Sequence, residues 1–159
     1  MSRDRVFVDT GAWLALALSD DAHHAGAEKA LRELVAAGTR LVTTNHVIGE
    51  TYTFLARVRD ARTALAFVAK TRASIVLDLI VVPEEIENRA IAWLERYDDQ
   101  KLSYIDAVSF AAMEELGLRK AFSFDRHFEA AGFARIPKTR RHHREHCGSA
   151  ADRWDGKYP

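Results

Sequence analysis

The chain has 159 residues, 48% of them hydrophobic, which is enough for one domain with a sizeable core and too few for two. A charged fraction of 29% and a mean hydropathy of −0.22 exclude a disordered chain, and a single cysteine, Cys147, excludes an internal disulfide framework. Net charge is zero, so no global positive field announces nucleic acid, although the stretch from Lys138 onward carries six basic against three acidic residues.

The opening MSRDRVFVDTGAW lacks the long apolar run and small-residue cleavage site of a signal peptide. The apolar stretch over residues 75–82 is too short to cross a bilayer. The expectation is a cytoplasmic protein without membrane contact.

Residues 5–8 form a short β-branched run ending at Asp9 and read as a first strand. Thr10-Gly11 reads as a turn, after which a helix begins at Trp13. Asp20 or Asp21 is the expected cap of a second helix, which runs through about residue 36 with apolar residues at helical spacing and is closed by Gly38. Residues 41–43 make a very short strand. Asn45 or Thr44 then caps a helix carrying Glu50, and residues 61–71 form another helix.

Residues 75–82, IVLDLIVV, read as the clearest strand, and their unbroken apolar character predicts a central position covered on both faces. Pro83 opens the next helix, with Glu84 and Glu85 in its first turn. Ser103 stands three residues before Asp106, a variant capping pattern, and opens an apolar helix ended by Gly117. Residues 121–124 are a further strand with Asp125 at its end, followed by a short helix and an edge strand over 133–136.

Strands separated by helices predict an α/β fold, a three-layer α/β/α sandwich around a mostly parallel sheet. In such a sheet Asp9 and Asp125, both at carboxyl ends of strands, open onto one crevice, and Glu50 and Asp106 sit on helices able to face it. Four gathered carboxylates cannot all stay ionised without a cation, and hard oxygen donors suit magnesium or manganese. Such ions serve phosphodiester cleavage by water, with no serine, cysteine or histidine nucleophile. On spacing alone, each acid has an equally ordinary reading as a turn, cap or surface residue.

The motifs VFVDTGAWLAL, TTNHVIGETYTFL, LSYIDAVSFAAMEELG and AFSFDRHFEAAGF, in that order, resemble those of the PIN-domain ribonucleases, and among them the VapC-like toxins of toxin–antitoxin pairs. The likeness covers roughly residues 4–137. It implies a PIN-like nuclease domain over 1–137 and metal ligation by Asp9, Glu50, Asp106 and Asp125. It further implies supporting roles for Thr10 and Ser123, magnesium with manganese as a substitute, an RNA substrate, a cognate antitoxin and a homodimer. A solitary RNA-processing nuclease and a non-catalytic RNA- or protein-binding module are the alternatives.

Residues 138–159 depart from the family pattern and read as a basic, His-containing, partly disordered tail. There His142, His146 and Cys147 lack an established zinc spacing. Lys101, Arg126 and His127 lie near the acids and read as phosphate contacts or as solvated charge. Arg57, Arg59 and Arg62 form a basic stretch suited to phosphates or to an acidic antitoxin segment. Asp99 reads as a linker or as added negative charge, and His23-His24 as surface. VFVDTG also resembles an aspartic-protease loop, but that fold is all-β.

Overall fold

The structure, a computed structural model, describes residues 4–98 and 101–138. Five strands, β1 (Arg5–Val8), β2 (Arg40–Thr44), β3 (Leu77–Ile80), β4 (Lys120–Phe122) and β5 (Ala134–Ile136), form one sheet in the order β3-β2-β1-β4-β5. Every pairing is parallel, so the sheet is wholly rather than mostly so. The helices are the crossovers a parallel sheet requires. Thus α1 (Thr10–Ala17) and α2 (His24–Ala36) link β1 to β2, and α3 (Asn45–Val58) and α4 (Ala61–Arg72) link β2 to β3. α5 (Glu84–Arg96) and α6 (Tyr104–Glu115) link β3 to β4, and the four-residue α7 (His127–Ala130) precedes β5. The result is the expected α/β/α sandwich.

β1 occupies the middle of the sheet, and Val6, Phe7 and Val8 are all fully buried. Three successive buried residues mean that both faces of the strand are covered. Phe128 binds the layers together: its ring lies 4.9 Å from Phe110 in an edge-on contact and 6.4 Å from Phe7. Leu14, Leu18, Leu55 and Ala64 make a second, smaller cluster where α1, α3 and α4 meet. Gly38 and Gly117, at φ +71° and +64°, end α2 and α6 in the left-handed conformation that side chains disfavour.

Three local expectations are corrected, and one open choice, the cap of α3, is resolved. The apolar run over 75–82 yields only β3, and β3 is an outer strand. Ile75 is 88% exposed and Val81 74% exposed, while Asp78 pairs with Arg40 of the neighbouring strand. Thr10 and Gly11 are not a turn: Asp9 caps α1 directly, and helix begins at Thr10. Neither Asp20 nor Asp21 caps α2. Asp21 instead accepts the backbone N–H of His23, and α2 starts without a side-chain cap. Thr44 rather than Asn45 caps α3, and the Asn45 side chain accepts from the Val82 N–H, joining α3 to the chain after β3. The tail from 139 on, with its His and Cys residues, and Asp99 lie outside the described residues.

Candidate metal centre

From β1 the chain moves outward to β2 and β3, then returns to the other side of β1 for β4 and β5. The reversal lies between β1 and β4, and ligand crevices open at the carboxyl ends of strands at such a switch point. Asp9 follows β1 there, and Ser123 and Asp125 follow β4.

Asp9 is buried and both of its oxygens are engaged. Oδ1 accepts the Ala12 N–H at 2.8 Å, as a cap of α1, and Oδ2 accepts the Ser123 hydroxyl at 2.5 Å. Ser123 Oγ in turn accepts the Asp125 N–H at 3.0 Å, so one hydroxyl ties the first acid to the loop of the last. Burial pushes the Asp9 carboxyl up to about 7 against the pull of those two donors, and the charges of Asp106 and Asp125 push it the same way.

Asp106 is the third residue of α6 and completes a reciprocal cap with Ser103. Its N–H donates to Ser103 Oγ at 3.0 Å, and its Oδ2 accepts the Ser103 N–H at 3.2 Å and hydroxyl at 2.7 Å. Among the described residues these side-chain bonds all fall on Oδ2, leaving Oδ1 for the cluster. Burial raises this carboxyl too; Asp125 adds to the shift, and Ser103 and His127 oppose it. Glu50, one turn into α3, receives a hydrogen bond from the Thr10 hydroxyl. It is raised by burial first and by Asp106 last, with Thr10 acting against both.

Asp125 accepts the His127 N–H at 2.8 Å, and the His127 ring lies 3.1 Å from Oδ1. Asp106, Asp125 and His127 each offer a ligand atom within 4.8 Å of the others. Hydrogen bonds and mutual charge link all six sequence-nominated residues into one network, although neither Asp9 nor Glu50 belongs to the group whose ligand atoms lie within 4.8 Å of one another. Asp106 and Asp125 form its centre, Asp9 and Glu50 are coupled to that centre by charge, and the Thr10 and Ser123 hydroxyls are committed to Glu50 and Asp9. His127 lies against Asp125, closer in than a remote phosphate contact. Lys101 and Arg126 are exposed at the margin, and in the basic stretch Arg59 is paired with Asp20.

Arg135 had no place in the sequence reading. It is 8% exposed on β5, where its guanidinium donates to the Phe124 carbonyl at 2.8 Å and lies 3.1 Å from Glu129. Phe124 sits between Ser123 and Asp125, so Arg135 holds the backbone that carries both. An arginine inside a short apolar strand was the available signal, since a buried cation must have partners. Arg135→Met orphans the Phe124 carbonyl, and a loss of about 1–3 kcal/mol in urea denaturation is expected.

A Cβ at position 11 would lie 3.6 and 3.8 Å from the two Asp9 oxygens, so Gly11 leaves that face of the carboxylate uncovered. A donor set dominated by carboxylates that raise one another's pKa, with one imidazole beside them, fits a divalent cation.

Comparison with known proteins identifies the family. Residues 6–134 match the family model described as the PIN domain. The chain is 40% identical over 131 residues to a 23S rRNA-specific endonuclease, VapC20, of Mycobacterium tuberculosis, covering 82% of this chain and 97% of that protein. It is 32% identical over 123 residues to a VapC ribonuclease of Archaeoglobus fulgidus, covering 76% of this chain and 77% of that one. The crystal structure of VapC20, described as a Sarcin-Ricin loop cleaving toxin, superposes with a TM-score of 0.73 over 81% of this chain and 96% of that chain. VapBC2 from Rickettsia felis shares the fold alone, at 10% identity, with a TM-score of 0.63 over 82% of this chain and 96% of that chain. On the family match and the 40% identity together, the chain belongs to the PIN-domain family, in its VapC-like branch.

Proposed function

We propose that this chain is a magnesium-dependent endoribonuclease, with manganese as a substitute, and the toxin of a toxin–antitoxin pair in the cytoplasm. The observation that carries this reading is the convergence of Asp9, Glu50, Asp106 and Asp125 at the switch point, with Asp9 pushed up to about 7 by its surroundings. A carboxylate so placed takes a proton or a cation, and the cation is the functional choice.

The four acids would hold the ion. When bound, a cation of this class polarises the scissile phosphate and lowers the pKa of water. The protein's own groups do the positioning. Thr10 orients Glu50, Ser123 orients Asp9 and the Asp125 loop, and the Ser103 cap fixes Asp106 through its Oδ2. Hydrolysis joins the water oxygen to phosphorus and releases the 3′-oxygen, which takes up a proton, leaving a 5′-phosphate and a 3′-hydroxyl.

The name of the relative with 40% identity extends the substrate class to 23S rRNA. A small antitoxin is the proposed partner, and a second copy of this chain another. Val58 and Leu65, 43% and 59% exposed on α3 and α4 beside the smaller cluster, support an apolar contact between copies.

The test is cleavage of ribosomal RNA with added manganese, with the ends of the fragments mapped. Wild type is expected to cut at defined sites and leave 5′-phosphates. Asp9→Asn and Asp106→Asn are expected to lose cleavage to background. Full activity in both variants overturns the four-acid centre.

A further inference from the structure

The acidic cluster accounts for the handling of a phosphate, but none of its groups reads a base. Tyr104 lies on the same helix as Asp106 and takes no part in its cap. It is the first residue of α6, two before Asp106, and at 45% exposure it is the only exposed aromatic ring among the described residues. The first position of a helix gives a tyrosine no capping role, and Ser103 already supplies the cap.

The Tyr104 ring lies 6.1 Å from that of His46, inclined at 40°. His46 is on α3, one turn before Glu50, so the ring pair continues the seam of the two helices that carry Glu50 and Asp106. The His46 side chain is 23% exposed. Its Nε2 is 3.4 Å from Glu87 of α5. The exposed Tyr104 ring therefore meets α3 at His46, one helical turn before Glu50.

We propose that Tyr104, supported by His46, is the platform on which an RNA base next to the scissile phosphate stacks. This deepens the ribonuclease reading and rests on it. An exposed ring attracts a base only after that base has left its own stack, so the platform selects looped or single-stranded RNA over duplex. Stacking tolerates any base, so the contribution is to grip and register, with sequence choice left to other contacts.

The experiment uses the full chain and a short single-stranded oligoribonucleotide in which abasic sites are walked past the cleavage position. For wild type, one abasic position is expected to raise KM by about tenfold, the size of a single base–aromatic stack. Tyr104→Ala is expected to show that rise on the unmodified RNA, with kcat within about twofold, and to ignore the abasic site. Tyr104→Phe is expected to behave as wild type, since the ring is retained. Alanine suits a helix start, and a circular dichroism melt checks that Tyr104→Ala folds.

Unchanged KM in Tyr104→Ala, or equal abasic sensitivity in both proteins, overturns the platform while leaving the nuclease intact. Should wild type bind the oligonucleotide but cut nothing, the nuclease reading fails, and Tyr104→Ala is then judged on Kd, with about tenfold weakening supporting the platform and none overturning it.

Discussion

Asp9→Asn is expected to abolish RNA cleavage and, at the same time, to stabilise the metal-free protein above pH 7. The carboxyl titrates near 7 in the folded chain against 3.8 in the reference state. Between those values the folded form retains a proton that the unfolded chain has released. Stability of the metal-free protein therefore falls as pH rises through that window and is lowest above it. Asparagine removes this penalty while its side-chain oxygen still accepts the Ala12 N–H, so the α1 cap survives.

The gain is expected to be about 2–4 kcal/mol, read as a rise in Tm of roughly 5–10 °C. Glu50 and Asp106 are shifted in the same direction and steepen the wild-type slope. Saturating magnesium reverses the order: it stabilises wild type by mass action and leaves the variant little changed. Melting curves between pH 4 and 8, with a chelator and with magnesium, measure all of this. A wild-type profile flat across the window, together with a destabilised asparagine variant, refutes the account of Asp9 as an acid strained by burial.

The second large effect concerns an anchor. Phe128 is fully buried at the centre of the four-residue α7, directly beyond Asp125 and His127. So short a helix has little stability of its own, and its position rests on the packing of this ring against Phe7 and Phe110. Phe128→Ala is expected to cost about 3–5 kcal/mol, a large part of what a domain of this size possesses. Phe128→Leu refills most of the space and should cost about 1–1.5 kcal/mol. Denaturant midpoints measure both. Manganese affinity in the alanine variant should also fall, because Asp125 and His127 lose the fixed end of their loop. A cost under about 1 kcal/mol for alanine sinks the anchoring argument.

Much of this architecture is readable from local sequence. The Ser103–Asp106 cap is visible because its two partners are three residues apart, and the strand that ends at Asp9 is visible because β-branched residues stop at a carboxylate. The misreadings share a cause. Residues 75–82 are apolar enough for a central strand, but sheet order is set by which strand finds which partner, and β3 found only β2. Thr10-Gly11 has the composition of a turn, yet the capping bond from Ala12 to Asp9 turns those residues into a helix start.

The roles of Arg135 and His127 depend on contacts that spacing alone does not display. Arg135 reaches back eleven residues to Phe124. His127 is drawn to Asp125 by a tight local bend. The four acids stand at strand ends and helix starts where spacing makes them candidates, and the family resemblance turns that spacing into a specific set. Their convergence is a property of the strand order, which no single motif contains.

That strand order also sets when the centre can exist. β1 precedes the other four strands in the chain, yet it stays open on one side until β4 arrives to pair Phe7 with Ala121 and Val8 with Phe122. A growing chain that has emerged through α5 holds Asp9 and Glu50 but neither of the other two acids, and the Asp9–Ser123 bond spans 114 residues. Joining ends so far apart is a late and slow event in folding. An enzyme that severs RNA thus stays inert until the segment through Asp125 has left the ribosome and β4 has joined the sheet.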